Sequence, residues 1–364
     1  MSQLRTVQVL GGGAGSSAHV TSLTTGLVAR GVRVTVCAPA DGARAPAFPV
    51  AGAHFTPVPG RGGPATVTAL RAACADADVV HAHGPHAAVR AGLALSGRGT
   101  PLVMTWHPRA HAAEGVRRRM LHLVERRAAR AAAVVLATSS ELVDRARIRG
   151  ARDARLASTA LPAGPRPAVN AGKARAELGA VGRPLLVSAG TAAPYRGDGT
   201  LLDAVRLWRG LDPAPLLVVV GEGSDEEALR RRVMDEGLPV VLTGRREDLG
   251  QLLTVADLAV LPGREEARPM LAGEALRLGV PLVAADTRGL RELVGGAAEL
   301  VPYGDAGALA GAVVRLLGDP GRRKRLAEAG RLRAAGWPTE EDTVAHVLSV
   351  YDELARPLSA AGRG

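Results

Sequence analysis

Short apolar runs rich in Val, Leu and Ala alternate along this chain with Ala/Leu/Arg segments of helical length. A continuous apolar run between turn residues reads as a strand buried on both faces, and such strands pair in parallel sheets covered by helices. Strand candidates fall at 6–10, 32–38, 77–81, 101–105 and 132–137, then at 184–189, 214–220, 239–243, 257–261, 281–285 and 298–301. Helices are expected at 16–30, 64–75, 85–96 and 114–131, and at 305–317, 320–335 and 340–354 near the end. All-β and all-helical folds do not produce this pattern.

A chain of 364 residues with 47% hydrophobic content can bury two separate cores. The periodicity stops over residues 161–170, where prolines and a glycine accumulate. The expected organisation is an N-terminal Rossmann-like domain at 1–162, a linker at 163–172, a second Rossmann-like domain at 173–338 and a closing helix at 339–364. Ligands of open parallel sheets sit at the carboxyl ends of the strands, so the Gly-rich turns should face a cleft between the domains.

The net charge of +11 favours anionic partners such as nucleotide phosphates or an acidic membrane. Lysine occurs only at Lys173 and Lys324, so part of the arginine excess reads as coding bias and part of the basic surface as ordinary solvated charge. Aromatic residues make up only 2%, which leaves few stacking platforms and makes nucleic acid a poor expectation. Cys37 and Cys74 form neither a disulfide framework nor a CxxC metal motif, in keeping with a reducing cytoplasm. No apolar run approaches the roughly 18 residues of a membrane span, so the expectation is a cytoplasmic protein that can visit the inner face of a membrane.

The first turn, Leu10-Gly-Gly-Gly13-Ala-Gly15-Ser-Ser-Ala18, lets backbone amides approach phosphate at a helix N-terminus and fits the GxGxxA dinucleotide pattern. An NAD site wants an acid after the second strand, and Val36-Cys37-Ala38-Pro39 supplies none. An NAD(P)-dependent oxidoreductase or a nucleotide-sugar epimerase remains the alternative from another enzyme class.

Further along, Glu266-Ala-Arg-Pro-Met-Leu-Ala-Gly-Glu274 places two carboxylates with seven residues between them ahead of Gly279 and a buried strand. With the Gly-rich opening, Asp78-Val-Val-His81-Ala-His83-Gly84, Thr105-Trp-His107 and Leu185-Leu-Val-Ser-Ala-Gly190, this resembles glycosyltransferase family 4 over nearly the whole chain. The resemblance implies a GT-B fold, two tandem Rossmann-like domains with an interdomain cleft, and a retaining transfer of sugar from a nucleotide diphosphate donor without a metal ion or cofactor. It implies that Arg196, with the amides of the Gly13–Gly15 loop, holds the diphosphate, that Glu266 contacts the donor sugar and that Glu274, at a helix start, accepts from the ribose. Gly190, Gly221, Gly244, Arg245, Arg268, Pro269, Met270 and Leu271 would frame the donor, and His107 would lie near the reacting sugar.

Two departures from the family pattern stand out. Thr191 occupies the place where the family has an Arg, so one of two diphosphate cations is replaced, leaving either compensation by Arg245 or Arg268 or a catalytically silent binding protein. Ala267-Arg268-Pro269 follows the first Glu where Gly-Phe-Gly is common, which alters the sugar pocket. Among the histidines, His19, His81 and His83 read as structural, and no His/Asp/Glu spacing in the sequence suggests a metal site.

Residues 116–130 form a basic amphipathic helix in which Met120, Leu121, Val124 and Ala128 share one face. Two readings stay open: peripheral contact with an anionic membrane, or a core-facing helix with a solvated arginine face. The acceptor, an envelope lipid, a glycan or a small metabolite, is not legible.

Overall fold

The computed structural model describes residues 3–10, 14–39, 49, 51–60, 63–107, 115–157, 160, 170–190, 197–223, 225–246, 248–264 and 269–355. The chain divides into two compact units, one of residues 1–108, 113–162 and 338–364, the other of residues 109–112 and 163–337.

The N-terminal unit holds β1 (Arg5–Leu10), β2 (Arg33–Ala38), β3 (His54–Pro57), β4 (Val79–His83), β5 (Leu102–Trp106), β6 (Val134–Ala137) and β7 (Ala154–Leu156). They form one parallel sheet in the order β3-β2-β1-β4-β5-β6-β7. The strand expected at 77–81 begins two residues later. Asp78 donates its N–H to Arg5 O at 2.9 Å while its carboxylate accepts from the Arg5 N–H at 2.8 Å and from the Arg5 guanidinium at 3.3 Å, so it closes the end of the β1–β4 pair. The short edge strands β3 and β7 were not expected, because their partly exposed residues carry no continuous apolar run.

Helices cover both faces of this sheet. On one face the Ala14–Ala29 helix packs with the chain's last described helix, Glu340–Ala355, through Val20, Leu23, Leu27, Val344, Val347, Val350 and Tyr351. Gly26 permits the approach: a Cβ there would lie 2.4 Å from a methyl of Val344. On the other face the Pro64–Ala73, Pro85–Ala94, Gly115–Ala131 and Ser140–Ile148 helices enclose a second apolar cluster that includes Leu70, Ala87, Ala91, Ala128 and Leu142.

The second unit repeats the plan with β8 (Leu185–Ala189), β9 (Leu216–Val220), β10 (Val240–Leu242), β11 (Leu258–Leu261), β12 (Leu282–Ala285) and β13 (Glu299–Val301). Its parallel order is β10-β9-β8-β11-β12-β13. The segment expected as a linker to residue 172 already contains the start of the Ala171–Glu177 helix, capped by the Asn170 side chain, which accepts from the Lys173 N–H at 3.0 Å.

In both sheets the strand order reverses beside the unit's first strand, between β1 and β4 and between β8 and β11. Loops leaving these strands in opposite directions open a crevice at the carboxyl edge, the usual seat of a ligand in such sheets. No helix among the described residues is long and apolar enough to cross a membrane.

Candidate active site

In the second unit the expected donor glycines close neighbouring strands. Gly190 follows β8 and donates its N–H to Val220 O at 3.0 Å, while Gly221 follows β9 and donates to Gly244 O at 2.8 Å. Gly244 (φ 66°) turns the chain after β10, and the next N–H, of Arg245, donates to Glu222 Oε1 at 3.3 Å. Gly197 (φ 77°) packs so tightly against the segment after β11 that a Cβ would stand 2.7 Å from Pro262 O. These turns leave backbone without side chains along the carboxyl edge of β8, β9 and β10, a lining of the kind that suits anions.

The helix after β11, Met270–Leu278, starts at Pro269 and ends on Gly279 in the left-handed region (φ 71°). The N–H groups of its first turn have no intrahelical acceptors, which makes this end attractive to anions. Leu271 is buried in the core while Met270 is 63% exposed, so Leu271 offers a ligand its backbone alone. Glu274 does not sit at the helix start as expected but in the second turn. What supports its buried carboxylate is Arg277, whose Nη1 donates to Oε1 at 3.1 Å. Arg277 in turn lies over the Trp337 ring, 5.7 Å from its centroid. Gly13, Thr191, Arg196, Glu266 and Arg268 lie outside the described residues; Gly15 lies in the Ala14–Ala29 helix and Arg245 is exposed.

The N-terminal unit's reversal point is built from side chains. His83 ends β4, His107 follows β5 and His19 lies on the helix after β1. Ring centroids lie 5.1 Å apart for His19 and His107, 5.8 Å for His83 and His107, and 4.4 Å for the stacked His81 and His83. Sequence spacing gave no metal site, yet one ligand atom from each of His19, His83 and His107 falls within 4.8 Å of the others. The side-chain network behind them was also missed: Gln8 reaches Tyr351 Oη at 3.0 Å and His83 Nε2 at 3.0 Å, and His81 bridges Tyr351 Oη and Thr105 Oγ1 at 2.6 Å each. A signal existed, since residues two apart on a strand share a face and the register sets Gln8 opposite His81.

Burial keeps the His19, His81 and His83 rings neutral. It pushes His19 down to about 4 and, helped by the nearby His19, His81 down to about 3. His83 falls well below its ordinary value through burial and then through His81, His19 and His107.

The basic helix Gly115–Ala131 corrects one expectation. Leu121 and Val124 are half-buried and Ala128 is buried, but Met120 points outward with Val116 and Leu123, at 57%, 74% and 59% exposure. The buried Glu125 carboxylate fixes this rotation by pairing with Arg145 at 2.7 Å and Arg149 at 2.9 Å.

Two doubly wound parallel sheets, each with a crevice at its reversal point, define a GT-B architecture. Residues 14–162 match the glycosyl transferase 4-like domain and residues 171–333 match glycosyl transferases group 1, and the chain belongs to this glycosyltransferase family. The phosphatidyl-myo-inositol mannosyltransferase of Mycobacterium leprae is 28% identical over 94% of this chain and 93% of its own length. A D-inositol 3-phosphate glycosyltransferase from Jonesia denitrificans is 34% identical, with 46% of this chain matched; the chain spans less than half of that relative, 42%. Among solved structures, Anabaena HepE in complex with UDP superposes with a TM-score of 0.81 at 19% identity, covering 97% of this chain and 100% of that one.

Proposed function

We propose that this chain is a retaining glycosyltransferase that moves a sugar from a nucleoside diphosphate donor to a hydroxyl of an acceptor. The observation that carries the reading is the convergence of Gly190, Gly221 and Gly244 at neighbouring strand ends, in the same unit whose β11 feeds the helix bearing buried Glu274. Backbone amides at that edge suit a diphosphate, and a buried carboxylate suits paired ribose hydroxyls. Arg196 would hold the diphosphate and stabilise the leaving group, and Glu266 would grip the donor sugar. His107 would lie near the reacting sugar. Front-face attack requires no enzymic nucleophile, and none is assigned.

The test is thermal stabilisation of the wild type and of Glu274→Ala by UDP, GDP, ADP and NAD(P)H. A shift with one nucleoside diphosphate, on the order of several degrees at saturation and reduced in the variant, is expected. Stabilisation by NAD(P)H alone would overturn the reading in favour of an oxidoreductase.

The outward-facing Val116, Met120 and Leu123, set among Arg117, Arg118, Arg119, Arg126 and Arg127, favour peripheral contact with an anionic membrane over a purely core-facing helix. Such contact fits a lipid-linked acceptor, in line with the phosphatidyl-myo-inositol named for the Mycobacterium leprae relative. Sedimentation with anionic vesicles at low salt should deplete the chain from solution, and Met120→Glu with Leu123→Glu should keep it there. Equal binding to neutral vesicles would remove the electrostatic part of this proposal.

A further inference from the structure

We propose that His19, His83 and His107 form a binding site for a divalent cation of the zinc class in the N-terminal unit. The hydrogen bonds around His83 fix the orientation of its ring. Gln8 turns its Nε2 toward Tyr351 Oη at 3.0 Å and Thr6 Oγ1 at 3.4 Å, so its Oε1 is the atom facing His83 Nε2 at 3.0 Å. An amide oxygen only accepts, so His83 carries its proton on Nε2 and presents a bare lone pair on Nδ1. Tyr351 Oη, already accepting from Gln8, gives its own proton to His81 Nδ1, and His81 Nε2–H donates to Thr105 Oγ1. The chain of donors thus runs in one direction and locks the His83 ring from behind.

His83 Nδ1 is fully buried and has no hydrogen-bond partner among the described residues. A buried lone pair without a donor is costly, which makes this the one atom of the network that asks for a ligand. The ligand atoms of His19, His83 and His107 lie within 4.8 Å of one another. Three nitrogens around a tetrahedral ion at the usual Zn–N distance stand about 3.3 Å apart, so with His83 held in place the His19 and His107 nitrogens have to close by about 1.5 Å at most. His19 on its helix and His107 just past the end of β5 can supply that by side-chain rotation, while His83 stays fixed.

The donor set selects the ion. No carboxylate belongs to the cluster among the described residues, and three imidazoles suit Zn²⁺, Co²⁺ or Ni²⁺, whereas Mg²⁺ and Ca²⁺ want oxygen. The His83 ring, held by the Gln8 carboxamide, has the outer-shell support typical of a metal-binding imidazole. The fourth position would be open to water or to a ligand.

The test uses the untagged full chain and Co²⁺ as the probe, so it is read without any transfer assay and stands apart from the sugar-transfer reading. One Co²⁺ per chain should give the intense visible absorption of a four-coordinate site and be displaced by Zn²⁺. His19→Ala and His107→Ala, checked for native circular dichroism, should each weaken binding by about 10-fold to 100-fold or more, and His346→Ala, on an exposed surface, should not. Weak absorption of six-coordinate Co²⁺, or binding that survives both His19→Ala and His107→Ala, would overturn the site.

Discussion

The two reversal points of this molecule are made of different material. In the second unit the crevice edge is backbone: Gly190, Gly221 and Gly244 end adjacent strands, and Gly197 presses against Pro262. In the first unit the same topological position is filled by imidazoles, with Gln8, Thr105 and Tyr351 behind them. One parallel topology therefore yields either an amide-lined edge, which suits phosphate, or a side-chain cluster, which suits a more individual partner. What each crevice recognises is set by the residue that closes each strand and not by the sheet.

The sharpest way to separate the two is to remove charge from the proposed donor site of the second unit. If the proposed roles hold, Arg196→Ala and Glu266→Ala should each lower kcat/KM for sugar transfer by about 100-fold or more, because one would act on the departing diphosphate and the other on the sugar that leaves it. Far-UV circular dichroism and thermal unfolding should stay close to wild type. Full activity in Glu266→Ala would move the sugar contact to the adjacent carboxylate, Glu265.

In the first unit the larger effect should fall on stability. Gln8→Leu removes the donor to the buried Tyr351 hydroxyl and the acceptor of the His83 Nε2–H, which should cost about 2–6 kcal/mol at 1–3 kcal/mol for each lost bond. The same network predicts acid lability. His19 and His81 stay neutral when folded until about 4 and 3, whereas unfolded histidine takes up a proton near 6.5. Their folded values are lowered, so the stability they contribute is complete above about 6.5 and drains away as pH falls toward 4 and then 3. Denaturant midpoints between pH 8 and pH 4 should fall more steeply in the wild type than in His81→Phe. Equal slopes would show that the rings are not held neutral.

Much of this contrast was already visible in the chain. The strand-end glycines of the second unit are legible because the runs ending at Ala189, Val220 and Thr243 each stop on one, and the Pro320–Ala335 helix falls on its expected span. The histidine network was hidden by a two-residue slip in β4, which left His83 outside the strand and broke its pairing with Leu10. It also depends on Tyr351, which is 343 residues from Gln8 in sequence, and no local pattern reports a contact of that range. Glu274 shows the reverse error: its identity stood out, but its helix position depended on where the Pro269 cap falls.

The smallest effect tests whether the donor edge is conformational as well as open. At Gly244 (φ 66°) a Cβ would meet nothing closer than Glu222 Oε1 at 3.7 Å, so Gly244→Ala carries no steric penalty from its neighbours. Its cost is the left-handed backbone alone, about 1–2 kcal/mol. Gly26→Ala in the first unit is the opposite case, because its helical backbone gains from alanine by roughly 1 kcal/mol while the new methyl would strike Val344 at 2.4 Å. Gly244→Asn should therefore recover part of the stability lost in Gly244→Ala, since asparagine tolerates the left-handed region. Val344→Ala should rescue Gly26→Ala in a double-mutant cycle, because the second change removes the obstructing methyls. If Gly244→Asn is no better than alanine while its nucleoside diphosphate shift is lost, the position is held by ligand approach and not by backbone angle, and the donor edge is narrower than its turns suggest.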